Sequence, residues 1–307
     1  MKIKDIFLRR LGAAALALTL LMNAAPLSAY AVNDSEGDGA STSDSTDNTA
    51  VTTADNDSSV TALASNSPAL DATAALLVSP DSGMVLYSKN ADQKRYPAST
   101  TKIMTALLTL ENVSNLDETV TSEAVDFENV TADSSNAGIL LGEQVTVRDL
   151  LYALMLPSAN EAAYMLARHV GGSWEQFVDM MNDRAAELGC TGTHFCNPCG
   201  LHEEDHYTTA YDLHLIAKEA MKDVTFRDIV STVQHRMAKT NLHEERIIYT
   251  TNQLIFSSFQ PWSYANCLGI KTGHTSQAGN CFVGYAEYGD AKLFSVVLGC
   301  SDSSKEY

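Results

Sequence analysis

The chain has 307 residues and a formal net charge of −18, because 38 Asp and Glu outnumber 20 Lys and Arg. This acidic balance argues against nucleic acid or an anionic membrane surface as a partner, since their phosphate groups would be repelled. The length is sufficient for one two-lobed domain or two small ones.

The N-terminus has the composition of an export signal. An apolar run covers residues 11–22, a small-x-small cleavage site lies at residues 29–31, and four cations precede both: Lys2, Lys4, Arg9 and Arg10. Because the run is too short to span a bilayer comfortably, we predict a cleaved signal peptide over residues 1–31, with an uncleaved anchor as the alternative. We therefore expect an exported, extracytoplasmic protein, either secreted or associated with the cell wall or membrane.

Residues 32–67 consist mainly of small and polar side chains and contain no Lys or Arg. Such a segment has too little apolar surface to offset the entropy of ordering, so we predict a disordered acidic linker. Removal of residues 1–31 deletes four cations and one acid, which takes the net charge from −18 to −21. The folded part is predicted to span residues 68–307.

A Ser-x-x-Lys motif opens the first predicted helix. Residues 74–89 have the pattern of a β-hairpin, and an apolar helical pattern begins after Pro97. Ser99 and Lys102 are one turn apart and so share a helix face, at the end where free N–H groups stabilise negative charge. Burial would lower the pKa of Lys102 and let it act as a neutral base. Taken alone, the motif also fits an ordinary solvated helix start.

Two more polar motifs follow. Ser158 and Asn160 lie just after Pro157, in a predicted break between two apolar helices, although a plain helix–helix turn fits them as well. Lys271, Thr272 and Gly273 end a strand predicted over residues 267–273, which is also an ordinary place for these residue types.

The remaining pattern predicts how these motifs are brought together. Helices are expected at residues 173–188 and 209–221, strand-like alternation at 228–256, and a long hairpin at 280–300. The early hairpin and the late strands would form one antiparallel sheet, with a largely helical lobe inserted over residues 100–225. A site at the seam between sheet and lobe is expected.

Six cysteines leave several possibilities open. Four residues superficially resemble a zinc site: Cys196, Cys199, His202 and His206. They are too close in sequence to give a tetrahedral site without a tight knuckle, and acids fill the gap between the histidines, so we expect no metal. Free thiols or a Cys196–Cys199 link are the alternatives, and Cys267, Cys281 and Cys300 are expected in the core.

Together the motifs supply a nucleophile, a base, a proton relay and polar groups for an anionic substrate. Their order is the one found in β-lactamases and penicillin-binding proteins. From about residue 70 to 301 the chain resembles the low-molecular-mass penicillin-binding proteins that act as D-alanyl-D-alanine carboxypeptidases. The resemblance extends to the blocks around the motifs, at residues 97–105, 156–163 and 269–275, and to residues 197–201 and 206–212.

The resemblance implies an α/β (α+β) fold with a five-stranded antiparallel sheet, flanked by helices, and it makes residues 68–307 the catalytic domain. It implies that Ser99 attacks the penultimate D-alanine carbonyl of a peptidoglycan stem peptide and forms an acyl-enzyme that water hydrolyses. Lys102 would accept the serine proton, Ser158 would relay it to the leaving amine, and Asn160 would hold Lys102 and the substrate amide. No cofactor is implied, and β-lactams would trap the same serine.

Residues on the last motif would bind the rest of the substrate. The resemblance implies that Lys271 lowers the cost of negative charge and, with Thr272 next to Gly273, meets the terminal carboxylate. The backbone N–H groups of Ser99 and His274 would form the oxyanion hole.

Two departures and two alternatives accompany the resemblance. Cys199 stands where many relatives carry another residue, so a thiol is expected near the cleft. Because the sequence stops at Tyr307, we expect it to be incomplete.

A β-lactamase is the nearest alternative, but the middle motif is Ser-Ala-Asn and no Glu-x-x-Leu-Asn-like segment follows Asn160. The other is a penicillin-sensing or wall-binding protein that is acylated without turning over.

Overall fold

The computed structural model describes residues 70–131, 134–255 and 263–301. The predicted signal peptide, the whole of the predicted linker and the C-terminal end therefore lie outside the described residues. Nine strands are present in the described part: β1 Ala74–Val78, β2 Val85–Lys89, β3 Thr119–Thr121, β4 Gln144–Thr146, β5 Gln234–Met237, β6 Arg246–Tyr249, β7 Cys267–Thr275, β8 Gly279–Tyr288 and β9 Ala291–Cys300.

Five of the strands form one antiparallel sheet in the order β2-β1-β9-β8-β7. The strands come from the two ends of the described chain, and β1 pairs with β9 so that Leu76 lies opposite Val296. The remaining strands form two small ribbons, β3 with β4 and β5 with β6. The predicted five-stranded antiparallel sheet is confirmed, with β7 at one edge.

The helices form the inserted lobe between β2 and β7. They are α1 Lys102–Asn112, α2 Val147–Met155, α3 Asn160–Gly171, α4 Trp174–Glu187, α5 Ala210–Ala220 and α6 Val224–Val230. The break predicted at Pro157 is confirmed, since α2 ends before it and α3 begins after it. None of the helices in the described ranges is long and apolar enough to cross a membrane.

The strand-like interpretation of residues 228–256 is wrong at its beginning. Helix α6 includes the first three of these residues, because Phe226, Ile229 and Val230 are buried at helical spacing. The Asp223 carboxylate caps this helix by accepting from the Phe226 N–H at 2.8 Å. Strand pairing starts only at Gln234, after the helix has ended.

Helix α1 lies at the centre of the lobe, and the segment that leads into it lies against the edge strand β7. The apolar residues Ile103, Met104 and Leu107 of α1 are buried, as the sequence predicted. A short 3₁₀ helix, Ala98–Thr101, precedes α1. Gly273 on β7 approaches this turn so closely that a Cβ atom there would lie 2.9 Å from the Ser99 nitrogen. The seam between sheet and lobe is therefore at Ser99.

Candidate active site

Ser99 and Lys102 lie on the turn where the 3₁₀ helix passes into α1. The preceding Ala98 has a φ of 48°, a left-handed conformation that is unusual for alanine. The Thr100 hydroxyl stabilises the turn by donating to the Pro97 carbonyl at 2.7 Å. In this arrangement the Lys102 ammonium donates to the Ser99 Oγ at 3.0 Å. The predicted pairing of hydroxyl and amine on one face is present.

Two further acceptors complete the surroundings of the Lys102 side chain, which is fully buried. Its Nζ donates to the Asn160 Oδ1 at 2.7 Å and to the Cys199 carbonyl oxygen at 2.7 Å. Three N–H donors thus meet three acceptors. If the amine loses a proton, it keeps donors for Asn160 and Cys199, and its lone pair is directed towards the Ser99 hydroxyl. This geometry suits a base that removes the Ser99 proton.

Burial sets the proton affinity of both lysines in the site. Desolvation lowers the pKa of Lys102 to about 8. Lys271 is also buried, and desolvation together with the nearby charge of Lys102 lowers its pKa well below the usual lysine value. Both effects favour a site in which an amine is available in its neutral form near neutral pH.

Ser158 lies in the connection between α2 and α3 with a φ of 68°. Serine rarely adopts this left-handed conformation, and strained backbone of this kind is concentrated at functional sites. Its Oγ is buried and has no hydrogen-bond partner among the described residues. Among these residues the hydroxyl thus has neither an acceptor nor a donor, as expected of a group that exchanges a proton with a ligand.

The edge strand β7 carries the third motif. The Lys271 ammonium donates to the Thr272 carbonyl at 2.9 Å, and the Thr272 hydroxyl lies 2.5 Å from the Thr251 hydroxyl. The His274 side chain is exposed and its Nδ1 is 3.0 Å from the Asn280 Oδ1, so His274 offers the site its backbone rather than its ring. Together with the close approach of Gly273 to Ser99, this places the predicted substrate-binding residues along one side of Ser99.

The turn that contributes the Cys199 carbonyl was not assigned a role from the sequence. The Asn197 Oδ1 accepts from the Gly200 N–H at 2.7 Å and shapes this turn. Gly200 has a φ of 85°, and a Cβ there would lie 1.9 Å from the Ala98 carbonyl oxygen. The Asn-Pro-x-Gly pattern is the sequence signal that could have revealed this turn, because asparagine and glycine at this spacing are typical of tight turns.

This turn contributes the Cys199 carbonyl oxygen to the site, and not the Cys199 thiol. The Cys199 side chain is fully buried, and desolvation raises the pKa of the thiol. A buried thiol with a raised pKa is a poor nucleophile. All six cysteines are free thiols; Cys267 and Cys281 are buried as predicted, while Cys300 is only partly buried.

His206 supports the turn at Ser99 as a neutral ring. The Cys196 backbone N–H donates to its Nδ1 at 3.1 Å, so Nε2 carries the hydrogen and donates to the Thr101 hydroxyl at 2.9 Å. Burial lowers the pKa of His206 to about 3, which keeps the ring uncharged. Within the described ranges, no three His, Cys, Asp or Glu side chains are grouped for metal binding.

Comparisons with known proteins agree with this geometry. The profile of the D-alanyl-D-alanine carboxypeptidase family matches residues 61–302. A D-alanyl-D-alanine carboxypeptidase of Bacillus subtilis is 36% identical over 235 residues, which cover 76% of this chain and 58% of the relative. One of a Streptomyces species is 36% identical over 240 residues, covering 74% of this chain and 80% of the relative.

Solved structures show the same fold. The crystal structure of a Streptomyces DD-transpeptidase superposes with a TM-score of 0.71 at 35% identity, covering 78% of this chain and 93% of that one. A D-alanyl-D-alanine carboxypeptidase of Mycobacterium tuberculosis gives a TM-score of 0.67 at 32% identity, covering 74% and 82%. The chain spans only 58% of the length of the Bacillus subtilis relative that it matches.

Proposed function

This chain belongs to the D-alanyl-D-alanine carboxypeptidase family, and we propose that it is a serine peptidase that removes the terminal D-alanine from peptidoglycan stem peptides. The observation that carries the proposal is the 3.0 Å contact between the Lys102 Nζ and the Ser99 Oγ within a buried set of three acceptors. A lysine held in this way can take the place that histidine occupies in other serine hydrolases.

In the proposed acylation, the Ser99 Oγ attacks the carbonyl carbon of the penultimate D-alanine. The Ser99 proton passes to Lys102 as the new C–O bond forms, and the developing oxyanion is met by the backbone N–H groups of Ser99 and His274. The peptide C–N bond then breaks, and Ser158 passes the proton on to the departing amine. The products are free D-alanine and an ester on Ser99.

The carboxylate of the leaving D-alanine is proposed to lie along β7. Lys271 lowers the cost of its negative charge, and the Thr272 hydroxyl, which lies 2.5 Å from that of Thr251, donates to it. Gly273 lacks a side chain where β7 lies against the Ser99 turn, so the strand can stay close to the reacting carbonyl. These contacts would select peptides with a free C-terminal carboxylate.

Water completes the reaction by hydrolysing the ester, with Lys102 again accepting a proton. A β-lactam resembles the D-alanyl-D-alanine end of the substrate, so we propose that it acylates Ser99 as well. Because its opened ring stays attached to the acyl group, no leaving group departs and the adduct is long-lived.

A second candidate is acyl transfer to an amine. The Streptomyces protein whose structure superposes on this chain is a DD-transpeptidase, which differs from a carboxypeptidase only in the acceptor that takes the acyl group. An added amino-acid acceptor would then give a new peptide product in place of the shortened peptide, while release of D-alanine would continue.

We place this activity outside the cytoplasm. The cationic and apolar composition of residues 1–31 and the acidic linker of residues 32–67 support this location, since they have the form of a signal peptide followed by a spacer. Peptidoglycan, the proposed substrate, also lies outside the cytoplasm.

The proposal is tested by intact mass spectrometry after mixing the chain with excess benzylpenicillin, followed by an assay for D-alanine release. We expect a long-lived adduct of one penicillin and many equivalents of D-alanine, both lost in Ser99→Ala and both kept in Ser231→Ala, which removes an exposed hydroxyl elsewhere. A short-lived adduct with rapid drug hydrolysis would identify a β-lactamase instead. A stable adduct without D-alanine turnover would identify a sensor.

A further inference from the structure

Glu161 is a buried carboxylate to which the proposed mechanism assigns no task. It is the second residue of α3, directly after Asn160, and its side chain is only 2% exposed. The Ala137 N–H donates to its Oε1 at 2.6 Å. Its Oε2 is buried and has no hydrogen-bond partner among the described residues. Carboxylates are seldom buried without a compensating cation or a full set of donors, so this position needs an explanation.

The carboxylate links α3 to the segment of residues 134–139. The Asn160 N–H donates to the Ser135 carbonyl oxygen at 2.9 Å, and the Glu161 side chain accepts from the Ala137 backbone. Two successive residues of α3 therefore hold two positions of the same segment, whose residues Ser135 and Asn136 are exposed. The helix residue that contacts Lys102 and the residue that anchors this segment are adjacent in the chain.

The charged and titratable groups around Lys102 come from three elements. Lys271 approaches from β7, the Cys199 thiol from the turn at residues 197–200, and Glu161 from α3. Burial raises the pKa of Glu161, while N–H groups of Ala137 and Ile139 and the charge of Lys102 oppose this rise. A negative charge on Cys199 or on Glu161 would raise the pKa of Lys102. Burial raises the pKa of the Cys199 thiol and so keeps it protonated, and Lys271 repels a second cation, which leaves Glu161 as the group of this set that stabilises a charged Lys102.

We propose that Glu161 is a positioning residue for the acyl transfer proposed above: it anchors residues 134–139 and, as the buried carboxylate next to Asn160 in α3, sets the pH above which Lys102 can accept the Ser99 proton. Glu161 does not contact the substrate in this scheme. It acts through Lys102 and through the segment that it anchors.

The charge is tested by Glu161→Gln, which keeps the side-chain size and an oxygen to accept from Ala137. The matched control is Glu143→Gln, since Glu143 is also fully buried and also accepts a backbone N–H from the same stretch of chain, that of Leu140 at 2.8 Å. The cation that pairs with Glu143 is Arg246, whose Nη1 lies 2.7 Å from the Glu143 Oε1, and not Lys102. Both substitutions therefore remove a buried charge, but only one is expected to affect Lys102.

The readout is the titration of Lys102, followed by NMR of the full chain labelled at the lysine side chains and assigned with Lys102→Arg. We expect its midpoint to fall by roughly one pH unit in Glu161→Gln and to be unchanged in Glu143→Gln. The pH at which acylation by benzylpenicillin is half-maximal is expected to shift in the same direction. Identical Lys102 titrations in wild type and Glu161→Gln would overturn the proposal.

The two proposals fail in different ways. If wild type forms no penicillin adduct, the proposed function fails, while the Lys102 titration still decides the role of Glu161. The anchoring part is tested by Glu161→Ala, which removes the acceptor for Ala137 as well as the charge. We expect a several-fold higher KM than in Glu161→Gln, and equal KM values would contradict the anchoring role.

Discussion

The pH dependence of acylation is the most direct test of the role of Lys102. The perturbation is a change of pH from 6 to 10 on the wild-type chain, with benzylpenicillin as acylating agent. Only the neutral amine can accept the Ser99 proton, so the rate should follow the neutral fraction of Lys102. We expect it to rise with pH and to level off once the amine is fully deprotonated.

The magnitude follows from burial. With the pKa of Lys102 lowered to about 8, about 9% of the amine is neutral at pH 7 and about 90% at pH 9. The acylation rate should therefore rise about tenfold between these two values. A lysine with the ordinary pKa would be roughly 0.04% neutral at pH 7, so burial increases the population of active base by a factor of about 200.

The assay measures second-order acylation rate constants by intact mass at constant ionic strength. Ser99→Ala reports the hydroxide-driven loss of penicillin, which is subtracted at each pH. A rate that is flat or that falls between pH 7 and 9 would refute the assignment of Lys102 as the base.

The same lowered pKa makes a prediction about stability. Between about pH 8 and the ordinary lysine value, the unfolded chain binds more protons at Lys102 than the folded chain does, so the free energy of unfolding should increase with pH. The full effect is about 3 kcal/mol and is a cost to the folded state below pH 8. Chemical denaturation across this range should give a smaller increase for Lys102→Met. Equal pH slopes in both proteins would contradict the burial argument.

Three substitutions probe the surroundings of the nucleophile. Gly200→Ala should cost more than about 2 kcal/mol in urea unfolding, because its φ of 85° and the close backbone carbonyl both oppose a side chain, and an unchanged midpoint would contradict this. Asn160→Ala removes an acceptor 2.7 Å from Lys102, so acylation should fall about tenfold or more; a change under twofold would remove its role. Thr251→Val loses the hydroxyl partner of Thr272 and should lower kcat/KM roughly two- to tenfold for a free C-terminal carboxylate but not for its amide.

Local patterns determined much of the fold. The hairpin at residues 74–89, the helix break at Pro157 and the long hairpin at the end of the described chain depend on near neighbours, and each is confirmed. The first residues of the stretch at 228–256 were misassigned, because the short helix α6 has only seven residues and its pattern of apolar and polar side chains is too short to distinguish a helix from a strand. Short segments of this kind take the structure that their packing partners favour.

The motifs could be recognised from the sequence because their chemistry depends on residue type and spacing. Ser99 and Lys102 are three positions apart, so a single helical turn brings them together. The other two acceptors of Lys102 come from residues 58 and 97 positions further along the chain. One of them is the backbone carbonyl of Cys199, a group that every residue has and that therefore leaves no signal in a sequence.

Thr251 and Glu161 were missed because the groups that their side chains contact, Thr272 and Ala137, lie more than twenty positions away in the sequence. The sequence by itself determined which groups are available for the proposed acyl transfer and the local turn that pairs the Ser99 hydroxyl with the Lys102 amine. Only the tertiary structure decided that Lys102 is buried among three acceptors, that Thr272 has a hydroxyl partner, and that the Glu161 carboxylate is buried against the Ala137 N–H. The pKa of a buried amine depends on desolvation and on charges from distant parts of the chain, and these are set when the sheet and the helical lobe pack together.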